Sequence, residues 1–355
     1  MASQREAIIF IHGFYLGKDR NYFVDCLTTG FTELLEANKV EEIGEEKIAG
    51  HIGKKFKVYL DKNEVKEVDL YDAYWNDLVG NELSSRSLKE QVFRGIYMLF
   101  YWLSIKNLIS LRNSPPLLIG LGISFLLWIF WFYGIIALIF VAIGQEPSFL
   151  GFTIPNDWSN WIGSFGKSMT NWSAWLVVSG LVSFVPINMI ANMADFSTQY
   201  LEENPEGKIT RSKIRKQVAD VLSHVLETGI YDKITVLASC FGAVIATDVL
   251  ADYHQDHQIQ YITLGTSLKL FSSKSAEIEQ EIKRCVNNSQ IEGWIDFYSN
   301  QDWLCTKAPV PKGCSPERIR HRENKLPSSL IKQLSGKYHD HYLINEEVLK
   351  AALNL

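Results

Sequence analysis

Basic charge is not in surplus in this chain. Its 35 Lys and Arg are outnumbered by 40 Asp and Glu, for a net charge of −5, and no basic stripe stands out. Both facts argue against nucleic acid as a partner. Cysteine is scarce: Cys26, Cys240, Cys285, Cys305 and Cys314 are scattered, and no two share C-x-x-C spacing. That excludes a disulfide scaffold and gives no basis for a structural zinc site. The start, MASQREAIIFIHGF, lacks the basic-then-apolar-then-small order of a secretory leader, so a cytosolic start is expected. There is no internal repeat and no low-complexity segment. Gly120-Leu-Gly122 does not follow a βα turn, so no dinucleotide loop is present and no cofactor is expected.

Apolar residues, by contrast, are abundant and unevenly placed. They make up 47% of the chain, and 12% is aromatic, a composition that excludes disorder. Residues 113–145 are 33 consecutive positions without a charge. Within them Leu117 to Ile143 forms an unbroken apolar run which, as a helix, would be about 40 Å long, more than a bilayer core of roughly 30 Å. A second charge-free run centres on Trp172 to Asn192, weakened by Pro186, Asn188 and Asn192. Between the two, Trp158, Trp161, Trp172 and Trp175 read as an interfacial aromatic belt in a loop, and cations flank the outer ends. The expectation is a transmembrane hairpin with spans 117–143 and 172–192, and an interfacial helix over 92–111. Both termini would then be cytoplasmic, with membrane lipids as partners. Glycines in the first span permit helix association, but no strict G-x-x-x-G appears there, which leaves oligomeric state open.

Outside residues 91–204, strand-like and helix-like runs alternate. Ala7 to Ile11, Lys57 to Leu60, Glu67 to Tyr71, Lys233 to Ala238, Ile259 to Leu264 and Gly293 to Tyr298 read as strands. Tyr22 to Ala37, Thr210 to Leu226 and Phe241 to Tyr253 read as helices, Thr210 as an N-cap. This alternation predicts an α/β fold with a mostly parallel sheet and helices on both faces, in parts 1–90 and 205–355 around an insertion over 91–204. Gly313 to Leu326 holds five basic residues, His321 included, and reads as a solvated loop.

The chemistry concentrates where a buried strand, Ile234 to Ala238, runs into Ser239-Cys240-Phe241-Gly242 and an Ala-rich helix. This is the strand–turn–helix setting of a nucleophile elbow, with Cys240 two residues before Gly242. Ser239 takes the nucleophile position only if the turn shifts by one residue. The chain resembles the α/β-hydrolase superfamily, lipase-like and esterase-like members above all, over about residues 5–80 and 208–355. Phe10-Ile-His12-Gly13-Phe14 looks like the family's HG motif, and Ile262-Thr-Leu-Gly-Thr-Ser-Leu268 like the strand after the nucleophile helix.

The resemblance implies a triad of Cys240 as nucleophile, Asp302 as acid and His339 as base. Backbone N–H groups of Phe14 and Phe241 would form the oxyanion hole, with His12, Gly13 and Gly242 supporting it. His341 competes with His339, and Asp296 and Asp340 are weaker candidates for the acid. Asp69, Asp72 and Asp77 are expected to shape the sheet edge. The family nucleophile is usually serine, and a thiol beside an imidazole ionises more readily than a hydroxyl. The expected activity is a membrane-anchored hydrolase of a lipid or acyl ester or thioester at the cytoplasmic leaflet. Acyl transfer, or a non-catalytic signalling or scaffold role, remains open.

Overall fold

The computed structural model describes residues 4–14, 21–35, 39–48, 51–60, 64–79, 115–146, 148–149, 152–170, 195–202, 210–302, 305–325 and 337–355. The chain divides into two compact units, residues 1–117 with 188–355, and residues 118–187.

The first unit is built on a mixed eight-stranded sheet. Its strands are β1 (Gln4–Ile11), β2 (Val40–Ile48), β3 (His51–Tyr59), β4 (Val65–Asp72), β7 (Lys233–Ser239), β8 (Ile259–Leu264), β9 (Ile291–Tyr298) and β10 (Ile319–Glu323). Their order is β10-β9-β8-β7-β1-β4-β3-β2. From β10 to β4 all neighbours are parallel, and β3 runs antiparallel to β4 and β2. The strands at the centre are near-continuous apolar runs, as burial on both faces requires.

Side-chain alternation along the strands divides the helices between two faces. Ile8, Phe10, Leu70, Leu237, Ile262 and Phe297 enter one core, shared with α1 (Tyr22–Thr29) and the C-terminal helix Glu346–Ala352. On the opposite face Tyr261 donates its hydroxyl hydrogen to the Ala243 carbonyl, in the helix Gly242–Ala251 that follows β7. That helix packs against Thr210–Glu227 and Ala276–Asn287. Ser275 caps the latter by accepting from the Ile278 N–H.

The second unit holds the helix Pro115–Gln145, which begins just before it, the short pair β5 (Ser148–Phe149) and β6 (Phe152–Thr153), and the helix Asn156–Thr170. The segment expected as a belt-bearing loop is therefore largely helical. Ser159 donates to the Ile143 carbonyl, Tyr133 to the Met169 carbonyl, and Gly144 meets Gly163 backbone to backbone. Glycine is required at that crossing, since a Cβ on either residue would overlap the other's Cα.

The expected transmembrane hairpin is corrected. The helix Pro115–Gln145 is backed by the helix Asn156–Thr170, with Gly144 against Gly163 and Phe140 against Phe165. Among the described residues no helix is long and apolar enough to cross a membrane. The second expected span, 172–192, and the interfacial helix, 92–111, lie outside the described residues. The assignment of two spans with a cytoplasmic domain and cytoplasmic termini falls with the hairpin, and so does an α/β-hydrolase fold interrupted by one. The observed fold is the mixed α/β sheet alone.

Candidate active site

The next parallel strand after β1 is β4, on one side of it, and the next after that is β7, on the other. The crevice beyond the carboxyl ends of β1 and β7 is thus a topological switch point, where open α/β sheets place their ligands. His12-Gly13-Phe14 leaves the first of these strands and Cys240-Phe241-Gly242 the second.

Cys240 stands at φ +53°, in the left-handed region, while Ser239 remains in β7. A non-glycine residue there costs about 1–3 kcal/mol and persists only where its surroundings impose it. Here the surroundings do impose it. Cys240 N–H donates to the Leu264 carbonyl, and the Cys240 carbonyl accepts from both the N–H and the hydroxyl of Ser267. A Cβ at Gly13 would stand 2.8 Å from Cys240 Cβ, and one at Gly242 would overlap the Ile11 carbonyl oxygen. The two turns are pressed together, and only glycine fits at either point of contact. Ser239, the alternative nucleophile, accepts from Gly13 N–H at 3.2 Å and so ties the turns to each other.

No hydrogen bond among the described residues takes up the backbone N–H of Phe14 or of Phe241. Their rings are buried in an aromatic cluster with Trp75 and Phe196, the latter in a helical stretch over 195–201. Phe196 stacks on Phe14 with centroids 4.8 Å apart and meets Phe241 edge-on at 4.9 Å. His12 is sandwiched between Phe23 and Trp75. Its Nδ1 lies 2.6 Å from the Gly13 carbonyl, which only accepts, so Nδ1 carries a hydrogen. Burial lowers the His12 pKa to about 4, partly offset by that bond. His12 is therefore a structural wedge beneath the turn.

Asp302 is buried, and its Oδ2 would be 3.1 Å from a Cβ placed on Gly265. The same point is closed by the ring of Tyr342. Gly265, at φ +48°, thus lets the Asp302 carboxylate and the 3₁₀ segment Lys337–Ile344 converge at the end of β8. His339 and His341 both belong to that segment. His341 is half-buried; the side chains of His339 and Asp340 lie outside the described residues. The structure therefore brings together Cys240, Asp302 and the backbone that carries both histidines.

Asp296, the weaker candidate acid, is otherwise engaged. It accepts from Thr263 at 2.6 Å, from Ala308 N–H at 2.8 Å, and pairs with His321 at 2.9 Å across β9 and β10. Asp69 pairs with Arg5 and accepts from Tyr231, and Asp77 accepts from Gln217. These acids hold sheet and loop in place. Among the described residues no cluster of His, Cys, Asp and Glu is arranged to hold a metal ion.

One neighbour of the elbow did not emerge from the sequence. Cys305 Sγ lies 3.6 Å from Cys240 Sγ, and both thiols are buried. Its spacing, three residues after Asp302, was the only hint available. No family model, no curated protein and no solved structure matches the chain.

Proposed function

We propose that this chain is an acyl hydrolase of the α/β-hydrolase type, acting on an ester or thioester with an apolar acyl group. The observation that carries the reading is Cys240 at φ +53° between β7 and its helix, with the backbone N–H groups of Phe14 and Phe241 taken up by no hydrogen bond among the described residues. In this reading Cys240 attacks the acyl carbonyl, and the oxyanion is held by Phe14 and Phe241 N–H. His339, or His341 in its place, takes the thiol proton and returns it to the leaving group, and Asp302 orients that imidazole. Water then releases the acyl group. The aromatic walls of Phe14, Trp75, Phe196 and Phe241 favour an apolar acyl chain over a charged one.

Hydrolysis of p-nitrophenyl esters and acyl thioesters tests the triad. Cys240→Ala, Asp302→Asn and His339→Ala should each lose turnover, the histidine variant by about 10²- to 10⁴-fold. Cys240→Ser should retain ester hydrolysis through the same oxyanion hole. If Cys240→Ala matches wild type on every acyl substrate, the nucleophile assignment is lost. If His341→Ala is damaged and His339→Ala is not, only the choice of base changes.

One observation favours a second reading, a non-catalytic protein that has kept the turn. Cys240 is only 3% exposed. Labelling by iodoacetamide and fluorophosphonate probes separates the two: no modification of Cys240 in the folded chain supports the non-catalytic role. Product analysis with a thiol acceptor distinguishes hydrolysis from acyl transfer.

A further inference from the structure

Cys305 has no part in the acyl chemistry, yet its thiol is held against the one that does. Two separate restraints fix it there. Thr306 N–H donates to the Thr266 carbonyl at 3.0 Å, which ties the residue after Cys305 to the turn beyond β8. Ala308 N–H donates to Asp296, itself held by Thr263 and His321, and anchors the other end of the same loop. Cys240 is tied to that turn too, through Leu264 and Ser267. Both cysteines are thus mounted on the segment Leu264–Ser267. The 3.6 Å between their sulfurs is a product of this frame and not of two mobile side chains.

We propose that Cys240 and Cys305 are a redox pair that closes to a reversible disulfide under hydrogen peroxide, removing the elbow thiol from acyl chemistry. Closing the pair from contact to a bond of about 2.05 Å asks for a movement of about 1.5 Å. In the first step Cys240, as thiolate, attacks one peroxide oxygen. An S–O bond forms, the O–O bond breaks, and hydroxide leaves and is protonated to water; sulfur is oxidised by two electrons and peroxide reduced. In the second step the Cys305 sulfur attacks the Cys240 sulfur. The S–S bond forms, the S–O bond breaks, and the departing hydroxide takes the Cys305 proton as a second water. Two thiols and one peroxide give one disulfide and two waters. Burial and the neighbouring Cys240 push the Cys305 thiol well up, so Cys305 keeps its proton until this second step.

The other cysteines are not placed for this exchange. Cys285 is fully buried within Ala276–Asn287, and Cys314 lies beside Asn287. Cys26 belongs to α1 on the far core.

The consequence for turnover rests on the acyl-hydrolase reading, but bond formation does not, and the test separates the two. The full chain, reduced and then treated with hydrogen peroxide, is digested without reductant and mapped by mass spectrometry. The expected result is a cross-linked peptide pair joining Cys240 to Cys305, lighter by two hydrogens than its parts and separated by dithiothreitol. Cys305→Ser and Cys305→Ala should lack the cross-link and instead carry sulfinic or sulfonic acid at Cys240, which dithiothreitol does not reverse. Oxygen adducts on Cys240 without a cross-link in wild type, or no change at either residue, would overturn the proposal. A cross-link in a chain inert toward all acyl substrates leaves the redox pair standing and removes the hydrolase reading. Turnover without a cross-link does the reverse.

Discussion

His12 shows how one side chain under the site sets a pH window for the whole unit. Its pKa is about 4 in the folded chain, against an ordinary value of 6.5. Between those values the native state binds fewer protons than the unfolded chain, so stability rises with pH across that interval. The contribution is fully present above about pH 6.5, is lost as pH falls toward 4, and amounts to about 3 kcal/mol. Glu281 acts in the opposite sense. Burial and the neighbouring Asp248 raise it to about 7 from 4.5, so it stabilises at low pH and loses that contribution as pH rises through 7. A subtraction isolates the histidine. Urea unfolding of wild type and His12→Phe between pH 4 and pH 7 should give a difference that grows against wild type as pH falls. A constant difference would mean that His12 is not buried as the neutral ring. The level at pH 7 is less informative, because Phe also abandons the Gly13 carbonyl.

Among elements, the helices behind the nucleophile turn are joined through one cation. Arg211 on Thr210–Glu227 pairs with Asp248 at 2.9 Å, with Glu277 at 2.9 Å, and with Glu281. Tyr200 donates to the same Asp248, and its ring lies under the Arg211 guanidinium. Asp248 and Glu281 are both buried, so removing the arginine strands two carboxylates in a poorly solvated space. Arg211→Met should lower the unfolding free energy by about 3–5 kcal/mol, and adding Glu281→Gln should recover part of it. A shifted urea midpoint at unchanged slope is the readout. An unaltered midpoint would show that Arg215, which also reaches Asp248, carries the charge alone.

Legibility also differed by element, for physical reasons. The central strands were readable because burial on both faces leaves near-continuous apolar runs, as in Lys233–Ser239 and Ile259–Leu264. β2 was not, because VEEIGEEKI is an edge strand defended by charge and alternates poorly. Trp158, Trp161 and Phe165 fall at helical spacing, yet aromatic content suggested a membrane belt where the structure has the helix Asn156–Thr170. Hydropathy cannot distinguish a helix that lipid covers from one that another helix backs. In the candidate site, Gly13, Cys240 and Gly242 were readable because tight turns restrict residue type. Cys305 was not, because only the tertiary contact between separate loops brings it to the turn.

At the scale of the molecule, the sheet and the candidate site belong entirely to one unit. Residues 1–117 and 188–355 contain every strand of the large sheet, Phe14, Cys240, Asp302 and the segment with both histidines. They also contain the aromatic cluster, since Phe196 lies beyond the second unit. Among the described residues, the core shared by β1, β4, β7, β8 and β9 takes no side chain from residues 118–187. A unit with its own core and its own hydrogen-bonded sheet meets the physical requirement for folding alone. Replacing residues 118–187 by a Gly/Ser linker of about 12 residues, with a mean reach of about 20 Å, should leave that unit folded. Its urea transition should remain single and cooperative, and the Cys240–Cys305 cross-link should still form under peroxide. A broad, non-cooperative transition would show that the second unit supplies stability that the sheet lacks. A cooperative transition without the cross-link would place the effect at the nucleophile turn, and so make residues 118–187 a determinant of the site's geometry.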